Sequence, residues 1–265
     1  MSAILVRDLV RDLGAESASL DALVAPLPSE KWATRTPAEG WTIAHQIAHL
    51  AWTDRLVLLS AIHEDAFAAA AARAATDPTG FTHAGAQELA AEEPSKLLMT
   101  WRDGIVEVCE AISQLPGGRH LSWFGPGMSA ASMVSARIME TWAHGQDIAD
   151  ALGVTREPTV RLRHVAHVAV AARGYAYTIN GRTPPQSPVR VELVGPAGAV
   201  WTWGPPEAPD RVSGPALDFC LLATQRRHRD DVKVVASGPD ADAWLDIIQT
   251  FAGPPGPGRR PGQFA

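Results

Sequence analysis

The stretch Trp41-Thr42-Ile43-Ala44-His45-Gln46-Ile47-Ala48-His49-Leu50 decides how this chain is read, together with Met139-Glu140-Thr141-Trp142-Ala143-His144-Gly145-Gln146-Asp147 further along. Both read as amphipathic helix. Positions four apart lie on one helical face, so His45 and His49 form one pair of donors and Glu140 and His144 another. Ile43, Ala48, Leu50 and Trp52 accompany the first pair, and Ile138, Met139, Ala143 and Ile148 the second. These apolar companions turn the imidazoles and the carboxylate inward. If the two helices face each other, three or four donors converge, as in a metal site built in a bundle core.

Outward from these segments, the chain divides into elements. A first helix is expected from about Ala3 to Val24, with Leu5, Leu9, Val10, Leu13, Leu20 and Leu23 as its apolar stripe. Thr42 is a plausible N-cap for the second helix, which the pattern carries past Asp54 to about Ala75. A break at Asp77-Pro78-Thr79-Gly80 leads to a third helix, about Gln87 to Leu115, closed by Pro116-Gly117-Gly118. The fourth runs from about Ser129 to Leu152. The fold class expected is α+β, with an N-terminal four-helix bundle over residues 1–155 followed by a smaller α+β domain over 156–252 that closes one side of the site.

In that second domain a helix from Thr159 to about Thr178 precedes strand-like runs at Val189–Val194 and Ala199–Trp203, joined as a hairpin at Gly195–Gly198. A helix at Ala216–Arg226, a strand at Val232–Ala236 and a helix from Asp240 to about Phe251 complete it. The tail, residues 253–265, is rich in Pro and Gly and is expected either to be disordered or to lie against the body as an extended arm.

Composition narrows the function classes. With 265 residues and 46% hydrophobic content, the chain can bury a sizeable core. Its net charge of -6 is spread without a basic stripe, which argues against nucleic-acid binding. No apolar window is long enough for a membrane span, and Arg7, Asp8, Arg11 and Asp12 make the start unlike a signal peptide, so a soluble cytoplasmic protein is expected. The two cysteines, Cys109 and Cys220, sit in apolar helical contexts and read as core residues.

Gly40-Trp41-Thr42-Ile43-Ala44-His45-Gln46-Ile47-Ala48-His49-Leu50 with Met139-Glu140-Thr141-Trp142-Ala143-His144-Gly145-Gln146-Asp147 resembles the DinB-like metalloprotein superfamily, in its actinobacterial branch that includes mycothiol-dependent maleylpyruvate isomerase. Gly204-Pro205-Pro206 and Gly214–Phe219 resemble the α+β domain appended in an actinobacterial subgroup. The resemblance implies a divalent metal held by His49, Glu140 and His144. Zinc is the first expectation, with nickel, iron and manganese also suited to mixed N/O donors. It also implies mycothiol, or another low-molecular-weight thiol, as cosubstrate for transfer to, or isomerisation of, a small electrophile. Two imidazoles and one carboxylate leave a coordination position open, as a catalytic ion requires.

Other readings stand beside this one. His45 is expected as a fourth ligand, a proton shuttle or a hydrogen-bonded helix-face residue. Asp147 either orients a ligand or is a solvated helix-end acid, and His45 and Asp147 are the candidate catalytic groups. Asp54 and Arg55 sit at the rim or pair on the surface, while His164 and His167 mimic a metal pair but lack a carboxylate. Trp123-Phe124-Gly125-Pro126-Gly127 is a candidate pocket loop in which the glycines permit unusual backbone torsions, and Arg226-Arg227-His228-Arg229 either holds an acidic group or is a solvated helix end. The alternatives in function are a thiol-independent metal-dependent hydrolase, lyase or cyclase, and a non-catalytic metal- or small-ligand-binding protein.

Overall fold

The computed structural model describes residues 3–116, 118–125 and 127–264. The chain forms two compact units, Met1–Arg156 and Glu157–Ala265. In the first, four long helices make the bundle: α1 (Ala3–Val24), α2 (Ile43–Ile62), α5 (Pro94–Ser113) and α6 (Ala130–Leu152). Helix α2 packs against α5 and α6, and α1 against both α6 and α5. Leu13, Leu20, Ile43, Ile47, Leu50, Leu97, Trp101, Ile112 and Ile138 fill the space between them.

The ends of the ligand-bearing helices are set locally. Thr42 takes an extended backbone and its side chain receives the α2 N3 amide, while the His45 ring receives the Thr42 N–H. The two groups satisfy donors that a helix start leaves open. Helix α6 opens on Ser129, whose hydroxyl accepts from the Ser132 amide at 3.1 Å. It closes on Gly153 at φ 67, a left-handed C-cap that glycine adopts without strain.

In the first unit, two expectations about helix extent are corrected. The second helix does not continue to Ala75: α2 stops at Ile62, His63 leaves the helical region at φ -137, and a separate α3 (Glu64–Thr76) begins with Glu64 and Asp65 in its first turn. Acids favour a helix N-terminus, and this restart carries no Pro or Gly to announce it. Asp77-Pro78 is a start as well as a break. Asp77 accepts from the Gly80 amide at 2.9 Å and Pro78 occupies the first turn of α4 (Pro78–Ala90), so the helix expected from Gln87 begins instead at Pro94. Helix α4 lies along α2, with α3 against both. A two-residue hairpin, β1 (His120–Leu121) with β2 (Met128–Ser129), precedes α6.

The second unit carries α7 (Leu162–Ala171) and α8 (Arg173–Ile179), where a single helix was expected, and then a four-stranded sheet. Strand β3 (Val189–Val194) and β4 (Val200–Trp203) form the hairpin read from the sequence. Strand β5 (Asp210–Pro215), absent from the sequence reading, lies parallel to β3, and β6 (Val235–Ser237) pairs with it on the other side, giving the order β4-β3-β5-β6. Its Gly and Pro disguise β5, but Asp210 and Val212 alternate inward as a strand requires. Gly204, at φ 76, permits the close passage of β4 and β3, because a Cβ there would stand 2.0 Å from the Val189 carbonyl oxygen. Helices α9 (Ala216–Ala223) and α10 (Pro239–Leu245) are both shorter than expected. The tail lies as an arm against its own unit. Its Gly262 amide donates to Asp231 at 2.8 Å and Phe264 lies 4.6 Å beneath the Arg227 guanidinium.

Candidate metal centre

His49 lies in the second turn of α2, and Glu140 and His144 stand one turn apart on α6. The structure brings these three together. The Nε2 of His144 is 3.2 Å from Glu140 Oε2 and the Nε2 of His49 is 3.9 Å from the same oxygen. One donor atom from each residue falls within 4.8 Å of the others. Ligand atoms around a tetrahedral zinc at about 2.0–2.1 Å are separated by roughly 3.3 Å, so the observed spacing needs only small side-chain adjustment.

Electrostatics favour the same reading. Burial lowers the His49 pKa to about 4, with the nearby His144 pushing the same way and Glu140 opposing, so this imidazole is neutral at pH 7. Burial alone would raise Glu140, but hydrogen bonds with His144 and His49 outweigh it and hold the carboxyl well below its usual range. A neutral imidazole and an ionised carboxylate are the forms that ligate a cation. The Nδ1 of His49 is buried without a hydrogen-bond partner. A buried polar atom left unsatisfied is costly, and the site retains it beside two other inward donors.

The surroundings are aromatic on one side and polar on another. Trp41 lies nearly parallel to His144, with ring centres 6.0 Å apart at 19°, and 5.3 Å from His49. Beyond His49, Trp52 leads to Phe81 at 5.1 Å and onward to Phe124. Gly85 of α4 admits the Trp52 ring, since a Cβ there would fall 2.2 Å from it. Trp123 and Phe124 of the proposed pocket loop join this cluster through Phe67. Gly125 and Gly127 do not take positive φ, contrary to the role expected of them, and Pro126 lies outside the described residues.

On the polar side, His144 Nδ1 meets Gln46 Oε1 at 2.5 Å, and Gln46 Nε2 donates to Thr36 Oγ1 at 2.8 Å. Gln46 escaped the sequence reading, although its position three residues before His49 places it on the same face of α2. Arg137, one turn before Glu140, escaped too. It is 2% exposed and donates to Asp54 at 2.9 Å and to the Leu50 carbonyl at 3.4 Å. Asp54 is therefore neither a rim nor a surface residue, and Arg55 alone is exposed. Burial raises the Asp54 pKa to about 6, against the lowering influence of Arg137.

The remaining candidates are not among the three converging donors. His45 points Nδ1 at Thr42 and Nε2 at Gln87 Oε1, 3.0 Å away, and is not one of the three converging donors. Asp147 is fully buried on α6, not a solvated helix end. His167 accepts from Trp203 Nε1 at 3.3 Å, and neither it nor His164 belongs to a metal-type cluster among the described residues. In the basic run, Arg229 pairs with Asp242 and Asp246 of the same unit. Both cysteines are free, Cys220 buried and Cys109 half-buried. No helix among the described residues is long and apolar enough to cross a membrane.

A four-helix bundle whose facing helices aim two imidazoles and one carboxylate at a common point, followed by an α+β unit, defines a class of helical-bundle proteins with an inward His/Glu/His cluster. The sequence model described as the mycothiol maleylpyruvate isomerase N-terminal domain matches residues 13–149, and the chain belongs to that family. A second model, described as wyosine base formation, matches residues 185–237. Two uncharacterized proteins from strains of Mycobacterium tuberculosis are each 56% identical over 250 residues, spanning 94% of this chain and 97% of theirs. The crystal structure of mycothiol-dependent maleylpyruvate isomerase superposes with a TM-score of 0.58 at 16% identity, covering 91% of this chain and 96% of that one. A histidine-to-alanine mutant of it gives 0.57. At that identity the likeness is one of fold.

Proposed function

We propose that this chain is a metal-dependent enzyme of thiol chemistry, in which His49, Glu140 and His144 hold one divalent ion, zinc first. Mycothiol or a similar low-molecular-weight thiol adds to a small electrophile, with transfer or isomerisation as the outcome. The observation that carries the reading is the convergence of the three donors within 4.8 Å on two facing helices. Family membership supports the thiol. A bound ion would supply Lewis acidity toward a thiol or a carbonyl at its open side.

The chain's own residues account for the rest. Trp41 and Trp52 flank the imidazoles and shield them from water, which strengthens electrostatic interactions there. Neither cysteine of the chain is an activated thiol. Burial pushes the Cys109 thiol up to about 11, aided by Asp54 and Glu110, and burial raises Cys220 as well. The attacking sulfur therefore comes from outside.

The test is metal content by elemental mass spectrometry on protein purified without an affinity metal column, wild type beside His144→Ala, followed by electrophile turnover with and without added thiol. About one ion per chain, lost in the variant, with thiol-dependent turnover is expected. A wild type that neither carries nor takes up zinc or nickel would overturn the reading, and turnover indifferent to thiol would replace it with a hydrolase, lyase or cyclase.

A further inference from the structure

Beside the three donors runs a hydrogen-bond chain with a single allowed direction. It ends on the Trp41 carbonyl, which can only accept. That oxygen receives the Thr36 amide at 2.8 Å and the Thr36 hydroxyl at 3.1 Å. With its proton committed to Trp41, the hydroxyl presents only lone pairs to the Gln46 amide 2.8 Å away, so the NH2 of Gln46 must face it. The carbonyl oxygen of Gln46 is thereby turned to His144, and Nδ1 of His144 must be the donor in that contact. We infer that Thr36 and Gln46 are positioning residues that fix the proton of His144 on Nδ1 and so reserve its Nε2 for the space shared with His49 and Glu140.

Two features strengthen the argument. Gln46 is fully buried, so water cannot substitute for Thr36 or His144 as its partner. The same Thr36 also holds the loop that lays the Trp41 ring over His144, with Arg35 bridged to Thr42 across the turn at Gly40. One threonine thus governs both the orientation of the amide and the placement of the indole. The consequence for metal affinity rests on the metal reading above, whereas the donor role of Nδ1 stands on its hydrogen bond to Gln46; without a metal, Nε2 can also carry a proton toward the Glu140 carboxylate 3.2 Å away, and a cation bound there would take that proton's place.

The experiment uses the full chain and the variants Gln46→Leu, Gln46→Glu and Thr36→Val. Nitrogen-15 spectra of the histidine rings, taken metal-free near pH 8, read separately whether Nδ1 and Nε2 of His144 carry a proton. His144 Nδ1 is expected to be protonated in the wild type and to lose that proton in Gln46→Leu. Zinc affinity, measured by competition with a chelator, is expected to fall about 10–100-fold in Gln46→Leu, as for other outer partners of metal-bound histidines, and to stay within a few-fold in Gln46→Glu, which keeps an acceptor. Thr36→Val lies between, because the freed amide can turn. An unprotonated Nδ1 in the wild type overturns the inference, as does a Gln46→Leu protein with unchanged spectra and unchanged zinc affinity. A wild type that binds no zinc yet shows Nδ1 protonated and sensitive to Gln46 removes the metal reading and leaves this one intact.

Discussion

Replacing Asp54 by asparagine should change the way stability depends on pH. Asp54 is completely buried between α2 and α6 with Arg137, and its pKa in the fold is about 6 against an ordinary 3.8. A carboxyl raised on folding binds its proton more tightly in the native state, so its favourable contribution is present below about pH 4 and is lost as the pH rises through about 6. At 1.36 kcal/mol per unit, the loss is about 3 kcal/mol. An amide cannot titrate, so Asp54→Asn lacks this component, while it keeps a carbonyl oxygen for the Arg137 guanidinium. The variant leaves that cation without its counter-charge, a penalty that does not vary with pH in this range. Urea denaturation followed by tryptophan fluorescence, at several values from about pH 4 to pH 8, gives the two curves, and titrations common to both chains cancel in their difference. The difference should move by about 3 kcal/mol in favour of the variant between about pH 4 and pH 7 and then level off. Parallel curves, or a drift the other way, would refute the burial argument.

Alanine at His49, Glu140 or His144 should each remove most bound metal, whereas His164→Ala should not; elemental analysis checks this, and full retention in Glu140→Ala would break the assigned set. Gly85→Ala places a methyl 2.2 Å from the Trp52 ring, so the indole must move off His49 and Phe81. A loss of about 1–3 kcal/mol and a shifted fluorescence maximum are expected, and an unchanged melting temperature would contradict it. Cys109, with its thiol pushed up to about 11, should react sluggishly with a disulfide reagent near pH 8, where roughly one part in a thousand is thiolate. Fast labelling of the native protein would show that the burial assigned to it is wrong.

The four bundle helices were legible in existence from their apolar spacing, and the start of α2 from its Thr42 cap, although the end of the second and the start of the third were misplaced. The α2/α3 break was not legible, since Ile62-His63-Glu64 carries no breaker and the turn is imposed by packing along α2. Strand β5 was hidden because its partner β3 lies some twenty residues earlier and no local signal announces a parallel pairing. At the site, the spacing brought out the inward donors, and of the alternatives for His45 the structure shows the hydrogen-bonded helix-face residue, its ring serving the start of its own helix. Gln46 and Arg137 were missed. Each reads in sequence as one more polar residue on a helix, and only tertiary structure shows that its partner lies on the facing helix.

The donors come from two helices about ninety residues apart, and no short segment can assemble them. If they hold the proposed ion, it would gain its full set of ligands only after α2 and α6 have docked, and parting of that seam would release it. The residence time of such an ion would then report on local opening of the bundle. Exchange of isotopically labelled zinc would time that opening while the protein remains folded, at a place where amide exchange and fluorescence report only averages.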